Sequence, residues 1–158
     1  MIAIILGTHG KFSEEILKST EMILGKQENV ATITFLPGEG ADDLMKKYED
    51  TIKSLQCEAG ILFIVDLFGG SPFNAASRIV AKEENMDIIT GINIPMLLNV
   101  FSGRNNLTVD ELAQVAISTG QMGIKSLKET LKNSIIKRWI RVHSDSSFYP
   151  LSKWKAYK

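Results

Sequence analysis

Five consecutive apolar residues, Ile61-Leu62-Phe63-Ile64-Val65, run directly into Asp66-Leu67-Phe68-Gly69-Gly70-Ser71-Pro72. Successive strand side chains point to opposite faces, so a strand with no polar member needs cover on both sides. That is the signature of a central parallel strand. Asp66 ends it, and Leu67 to Gly70 read as a loop. Ser71-Pro72 reads as an N-cap followed by proline at the first helical position, opening a helix through Val80.

The rest of the chain repeats this alternation. Ile2–Leu6 reads as a buried strand, followed by Gly7-Thr8-His9-Gly10 as a loop. From Phe12 to Leu24, the residues Ile16, Leu17, Thr20, Ile23 and Leu24 recur at helical spacing, and Gly25 is placed to close that helix. Val30–Phe35 is β-branched and aromatic, hence a strand. Pro37-Gly38-Glu39-Gly40 breaks the chain, and Ala41, Leu44, Met45, Tyr48, Ile52 and Leu55 form one stripe of a second helix. Asp87–Ile92 reads as a fourth strand, and Pro95 starts a short helix. Thr108-Val109-Asp110-Glu111 is a capping box, opening a helix that carries Leu112, Val115, Ala116, Thr119, Gly123 and Leu127.

Strand and helix alternate four times, then one more helix follows. This implies an α/β fold of three layers, with an open, mainly parallel sheet between helices. The common strand order is 2-1-3-4. The expected division is a domain over residues 1–131 and a segment over 132–158. That segment holds both tryptophans, Trp139 and Trp154, and the polar turn Ser144-Asp145-Ser146-Ser147. It reads as a linker, an exchanged segment or a cloning-derived tail.

Charge divides close to the same boundary. Residues 1–127 hold 10 basic and 16 acidic side chains, whereas residues 128–158 hold 8 and 2. The basic surplus sits on the tail and not on the folded part, which argues against a nucleic-acid platform. One cysteine, Cys57, excludes an intrachain disulfide framework and reads as a small, partly buried side chain. No apolar run approaches the ~20 residues that span a bilayer, and the start has no basic region of a signal peptide. The cytoplasm is the expected location.

Ligands of open parallel sheets bind beyond the carboxyl ends of the strands, where strand order reverses. In the order 2-1-3-4, strands one and three are neighbours, so His9 and Asp66 are expected to face each other there. A carboxylate on one ring nitrogen fixes the tautomer and orientation of an imidazole. The other nitrogen keeps its lone pair, a nucleophile toward phosphorus. The amides of Gly69, Gly70 and Ser71, with the helix N-terminus and the Ser71 hydroxyl, offer donors to a phosphoryl group. Blander readings exist for each residue. A histidine here also serves as a turn residue, Asp66 as a strand end, Ser71 as an ordinary cap and Gly69-Gly70 as a plain loop. Convergence of the two loops favours the chemical reading. His143 lies in the tail with no partner by spacing. A phosphate-binding G-x-x-x-x-G-K-[ST] motif, G-x-G-x-x-G and G-x-S-x-G are all missing, and two histidines make no histidine-rich metal site. No metal or cofactor is expected.

These residues carry a resemblance. Gly7-Thr8-His9-Gly10 after an apolar strand, the run Val65 to Ala76, and Gly91-Ile92-Asn93-Ile94-Pro95-Met96-Leu97 together resemble the mannose-family IIA domain of the bacterial phosphoenolpyruvate-dependent sugar phosphotransferase system. The resemblance covers about residues 1–130. It implies that His9 accepts a phosphoryl group from the phosphocarrier HPr and passes it to a histidine of a IIB domain. IIB then serves sugar uptake through the membrane components IIC and IID, to which the chain would be peripheral. It implies that Asp66 orients His9, and that Gly69, Gly70 and Ser71 lie where the phosphoryl group binds. It implies a homodimer with a C-terminal edge strand exchanged between subunits, for which Ile135–Val142 is a weak match. No IIB domain follows within these residues, so IIB is expected as a separate polypeptide or beyond the sequence in hand.

Three other readings compete with this one. A receiver domain phosphorylated on Asp66 needs Mg²⁺ and an acidic pair after strand one, where this chain has Thr8-His9. A IIA-like regulatory module of a transcriptional activator would come with a DNA-binding or ATPase domain. The phosphoprotein domain of a dihydroxyacetone kinase shares the fold, but Gly69-Gly70-Ser71-Pro72-Phe73-Asn74 resembles the sugar-transport branch more closely.

Overall fold

A computed structural model describes residues 1–132. Four strands, β1 (Ala3–His9), β2 (Val30–Phe35), β3 (Ile61–Val65) and β4 (Met86–Thr90), form one sheet in the order β2-β1-β3-β4. Every pairing among them is parallel. The connecting helices are α1 (Phe12–Leu24), α2 (Ala41–Ser54), α3 (Ser71–Val80), α4 (Ile94–Gly103), α5 (Val109–Met122) and α6 (Leu127–Lys132). The chain divides into a compact unit Met1–Gly123 and a second unit that begins at Ile124. The expected edge strand at 135–142 and His143 lie outside the described residues.

The period-two rule sorts the central strands into two cores. Ile2, Ile4, Leu6, Leu62 and Ile64 meet α1, α4 and α5 through Ile16, Leu97, Val100 and Leu112. Ala3, Ile5, Ile61 and Phe63 meet α2 and α3 through Leu44, Tyr48, Ala75 and Ala76. All five β3 side chains are fully buried, as an apolar run requires. Truncating one such large residue, Phe63→Ala, costs about 3–5 kcal/mol by lost transfer energy and the cavity left behind.

Several boundaries differ from the expectation. β1 extends to His9, because Thr8 and His9 continue the ladder opposite Thr34 and Phe35. β4 ends at Thr90, where Gly91 takes φ +80 and donates its N–H to the Asp66 carbonyl at 3.2 Å. α5 ends at Met122, and Leu127 belongs to α6. Ile23 and Leu24 are exposed instead of completing the α1 stripe. The last turn of that helix meets no covering surface among the described residues. The capping box at Thr108 and Glu111 and the closing Gly25 stand where the sequence places them.

Candidate functional site

The site lies at the carboxyl ends of β1 and β3. Along β1 the alternation places Thr8 inward, fully buried, and His9 outward, with its side chain 42% exposed. Thr8 Oγ1 accepts the Ser13 N–H at 2.7 Å, so the buried hydroxyl serves an amide at the start of α1. Gly10, at φ +60, makes the turn between strand and helix. L side chains resist that conformation and glycine does not.

β1 and β3 pair with Gly7 opposite Val65, which carries His9 and Asp66 just past the register on adjacent strands. One carboxylate oxygen, Asp66 Oδ2, lies 2.9 Å from His9 Nδ1 and accepts the His9 backbone N–H at 3.0 Å. Two bonds to one oxygen hold both the ring and the backbone that carries it. With Nδ1–H donating to the carboxylate, Nε2 is the nitrogen with the lone pair, and it has no partner among the described residues. Asp66 Oδ1 is buried and has no hydrogen-bond partner among the described residues.

The glycine loop closes over the ring. A Cβ on Gly70 would stand 2.9 Å from His9 Cε1, so only a glycine leaves the imidazole its place. Gly69 takes φ +74, again a glycine conformation. The helix begins one residue earlier than expected. Gly70 is its N-cap and Ser71 already has helical geometry, so the Ser71 side chain does not cap α3. The Gly70 N–H donates to the Leu67 carbonyl at 3.2 Å and is therefore spent within the loop. The N–H groups of Gly69, Ser71 and Phe73 have no acceptor among the described residues and remain as donors. The Ser71 hydroxyl is also unpartnered there and half-buried. Thus His9, Asp66, Gly70 and the start of α3 come together, while the expected Gly70 amide donor is already committed.

Two contributors escaped the sequence reading. The Phe35 ring packs edge-on to His9, with centroids 5.7 Å apart, and its carbonyl accepts the Gly10 N–H at 2.8 Å. Its position as the last residue of β2 was the available signal. Tyr48, on α2, lies beneath the site with its hydroxyl donating to the Pro72 carbonyl at 3.2 Å. Burial, reinforced by the Asp66 charge, pushes its phenol well above the usual tyrosine range. Cys57 lies away from this site, half-buried, and burial raises its thiol. No group of side chains suited to hold a metal ion occurs among the described residues.

The arrangement matches a known family. The EIIA-man family model, PTS system fructose IIA component, matches residues 3–117. The chain belongs to this family. The mannose-specific EIIAB component of the phosphotransferase system (PTS) from Escherichia coli (strain K12) is 50% identical over 128 residues, 80% of this chain and 40% of that protein. The chain thus spans only 40% of the length of that relative. The fructose-specific EIIA component of Bacillus subtilis (strain 168) is 36% identical over 132 residues, covering 84% of this chain and 90% of the relative. The crystal structure of phosphotransferase system component EIIA from Streptococcus agalactiae superposes with a TM-score of 0.75 at 31% identity, over 82% of this chain and 99% of that one. This EIIA-man chain therefore shares the sequence pattern and the overall fold of phosphotransferase system EIIA components.

Proposed function

We propose that the chain is a phosphoryl carrier of the sugar phosphotransferase system, with His9 as the residue that carries the group. The observation that supports this most is the 2.9 Å contact between His9 Nδ1 and Asp66 Oδ2, which leaves Nε2 without a partner among the described residues. In the forward step the Nε2 lone pair attacks the phosphorus of phospho-HPr. The phosphorus–nitrogen bond of the donor breaks as that of His9 forms. The second step reverses the roles, with a IIB histidine as the attacking group. The proton on Nδ1 stays on the ring throughout, and the Asp66 carboxylate offsets the positive character the phosphorylated ring acquires.

Gly69, Ser71 and Phe73 N–H groups, at the positive end of α3, are placed to receive the phosphoryl oxygens, with the Ser71 hydroxyl beside them. Gly70 contributes space, not a donor. Leu67 and Phe68, both exposed, stand on the same loop and give a visiting protein an apolar surface next to the ring.

On this reading residues 1–131 are the carrier domain, and 132–158 are a linker, an exchanged segment or an added tail. The protein works in the cytoplasm as a homodimer, reaching the membrane components IIC and IID only through IIB. No helix among the described residues is long and apolar enough to cross a membrane.

The test is direct. Incubation with phosphoenolpyruvate, enzyme I and HPr adds one phosphate that is labile in acid and stable in alkali. The His9→Ala chain takes up none. Labelling that persists in that variant, or that is lost in alkali, overturns the assignment.

A further inference from the structure

The residue that the site leans on without touching the reacting atoms is Tyr48. Its side chain is fully buried, packed edge-on to Phe63 with centroids 5.6 Å apart. The tip of the phenol enters β1 at Gly7, where a Cβ would stand only 2.0 Å from the tyrosine oxygen. Gly7 is two residues before His9. The hydroxyl then donates to the carbonyl of Pro72, one residue after Ser71. One side chain from α2 thus touches the strand that carries the histidine and the first turn of the helix whose N-cap, Gly70, packs against the ring. Those two segments are 65 residues apart in sequence, from Gly7 to Pro72.

We propose that Tyr48 is a positioning residue of the phosphoryl site, its hydroxyl clamping the first turn of α3 to β1 so that the Ser71 and Phe73 amides stay aimed at His9. Gly7 is the recess that admits the clamp. Burial first, and the Asp66 charge second, push the pKa of this phenol up. A helix start that is free to drift by about 1 Å misaligns its donors, and such errors cost up to about a hundredfold in rate. This assignment rests on the carrier function proposed above for its kinetic test, but not for its spectroscopic one.

Tyr48→Phe removes the hydroxyl and keeps the ring. Loss of one hydrogen bond lowers Tm by about 3 °C, so the chain stays folded at assay temperature. The rate of phosphoryl uptake from phospho-HPr falls about tenfold. In the unphosphorylated variant the His9 ring ¹⁵N resonances shift, because the Gly70 backbone packed against the ring moves with the start of α3, while Asp66 still sets the tautomer. A buried tyrosine with a packing role alone leaves those resonances in place. An uptake rate within twofold of the parent, with unchanged ring resonances, overturns the proposal. If Tyr48→Phe does not fold, Gly7→Ala tests the clamp instead, because its methyl group enters the recess and pushes the hydroxyl off the Pro72 carbonyl. The same loss of uptake rate and the same shift of the His9 ring resonances are expected, and parental values for both overturn the proposal. Failure of the parent chain to take up phosphate refutes the carrier function and leaves both spectroscopic outcomes decisive for Tyr48.

Discussion

Gly70 lies so close to His9 that a single added methyl group would stand 2.9 Å from the ring carbon Cε1. The backbone there has φ −70, a conformation open to any residue, so the glycine is explained by the neighbouring ring and not by strain. This separates it from Gly69, whose φ of +74 is a backbone requirement with open space around it. The two adjacent glycines do different jobs.

Gly70→Ala therefore leaves the fold in place and displaces the imidazole. Tm stays within about 3 °C of the parent, since an alanine is tolerated by the backbone. Phosphoryl uptake at His9 falls about tenfold as the ring loses its alignment. Thermal unfolding followed by circular dichroism, beside a radiolabelled phosphate assay, checks both halves.

Asp66→Asn removes the charge and keeps the shape. The carboxylate oxygen that serves both the His9 amide and Nδ1 becomes half of an amide, and the tautomer is no longer dictated. Transfer slows about a hundredfold in both directions, while far-ultraviolet circular dichroism is unchanged. Rapid-quench measurement of uptake and of discharge to IIB decides this. A parental rate in either direction removes the orienting role.

The capping box at α5 predicts a pH dependence with a definite sign. Glu111 accepts the Thr108 N–H at 2.9 Å and a bond from its hydroxyl at 3.1 Å, and these bonds hold its carboxyl below the ordinary value of 4.5. A depressed carboxyl stabilises the fold fully above its unfolded value and loses that contribution as the pH falls through its folded value. Stability of Glu111→Gln is therefore lower than the parent at neutral pH. The difference narrows as the pH drops below 4.5, read as converging Tm values.

The acidic surplus of residues 1–127 adds a kinetic expectation. A basic face on HPr is steered toward the site by long-range attraction, which salt screens over about 8–10 Å. The uptake rate falls severalfold between low and physiological ionic strength. A flat response in stopped-flow mixing dismisses steering.

Much of the architecture was legible because it is local. The two-faced run Ile61–Val65 announced a central strand, and period-two and period-3.6 patterns named the four strands and their helices. Gly25 and the Thr108–Glu111 box marked ends through their own short-range bonds. The pairing of His9 with Asp66 followed from topology, since an order of 2-1-3-4 makes their strands neighbours. What a strand end does in detail was less legible. His9 belongs to β1, and Ser71 lies within α3, because ladder bonds to Phe35 and the turn from Leu67 to Gly70 decide where each element stops.

Residue order and side-chain chemistry were enough to set the layers, the switch point and the two loops that meet there. Only the folded chain decided that the Gly70 amide is turned back into its loop, that Phe35 braces the imidazole, and that Tyr48 fills the recess at Gly7. The reason is physical: periodicity reports which face of an element is buried, whereas the partner met on that face depends on register and packing between segments far apart in the chain.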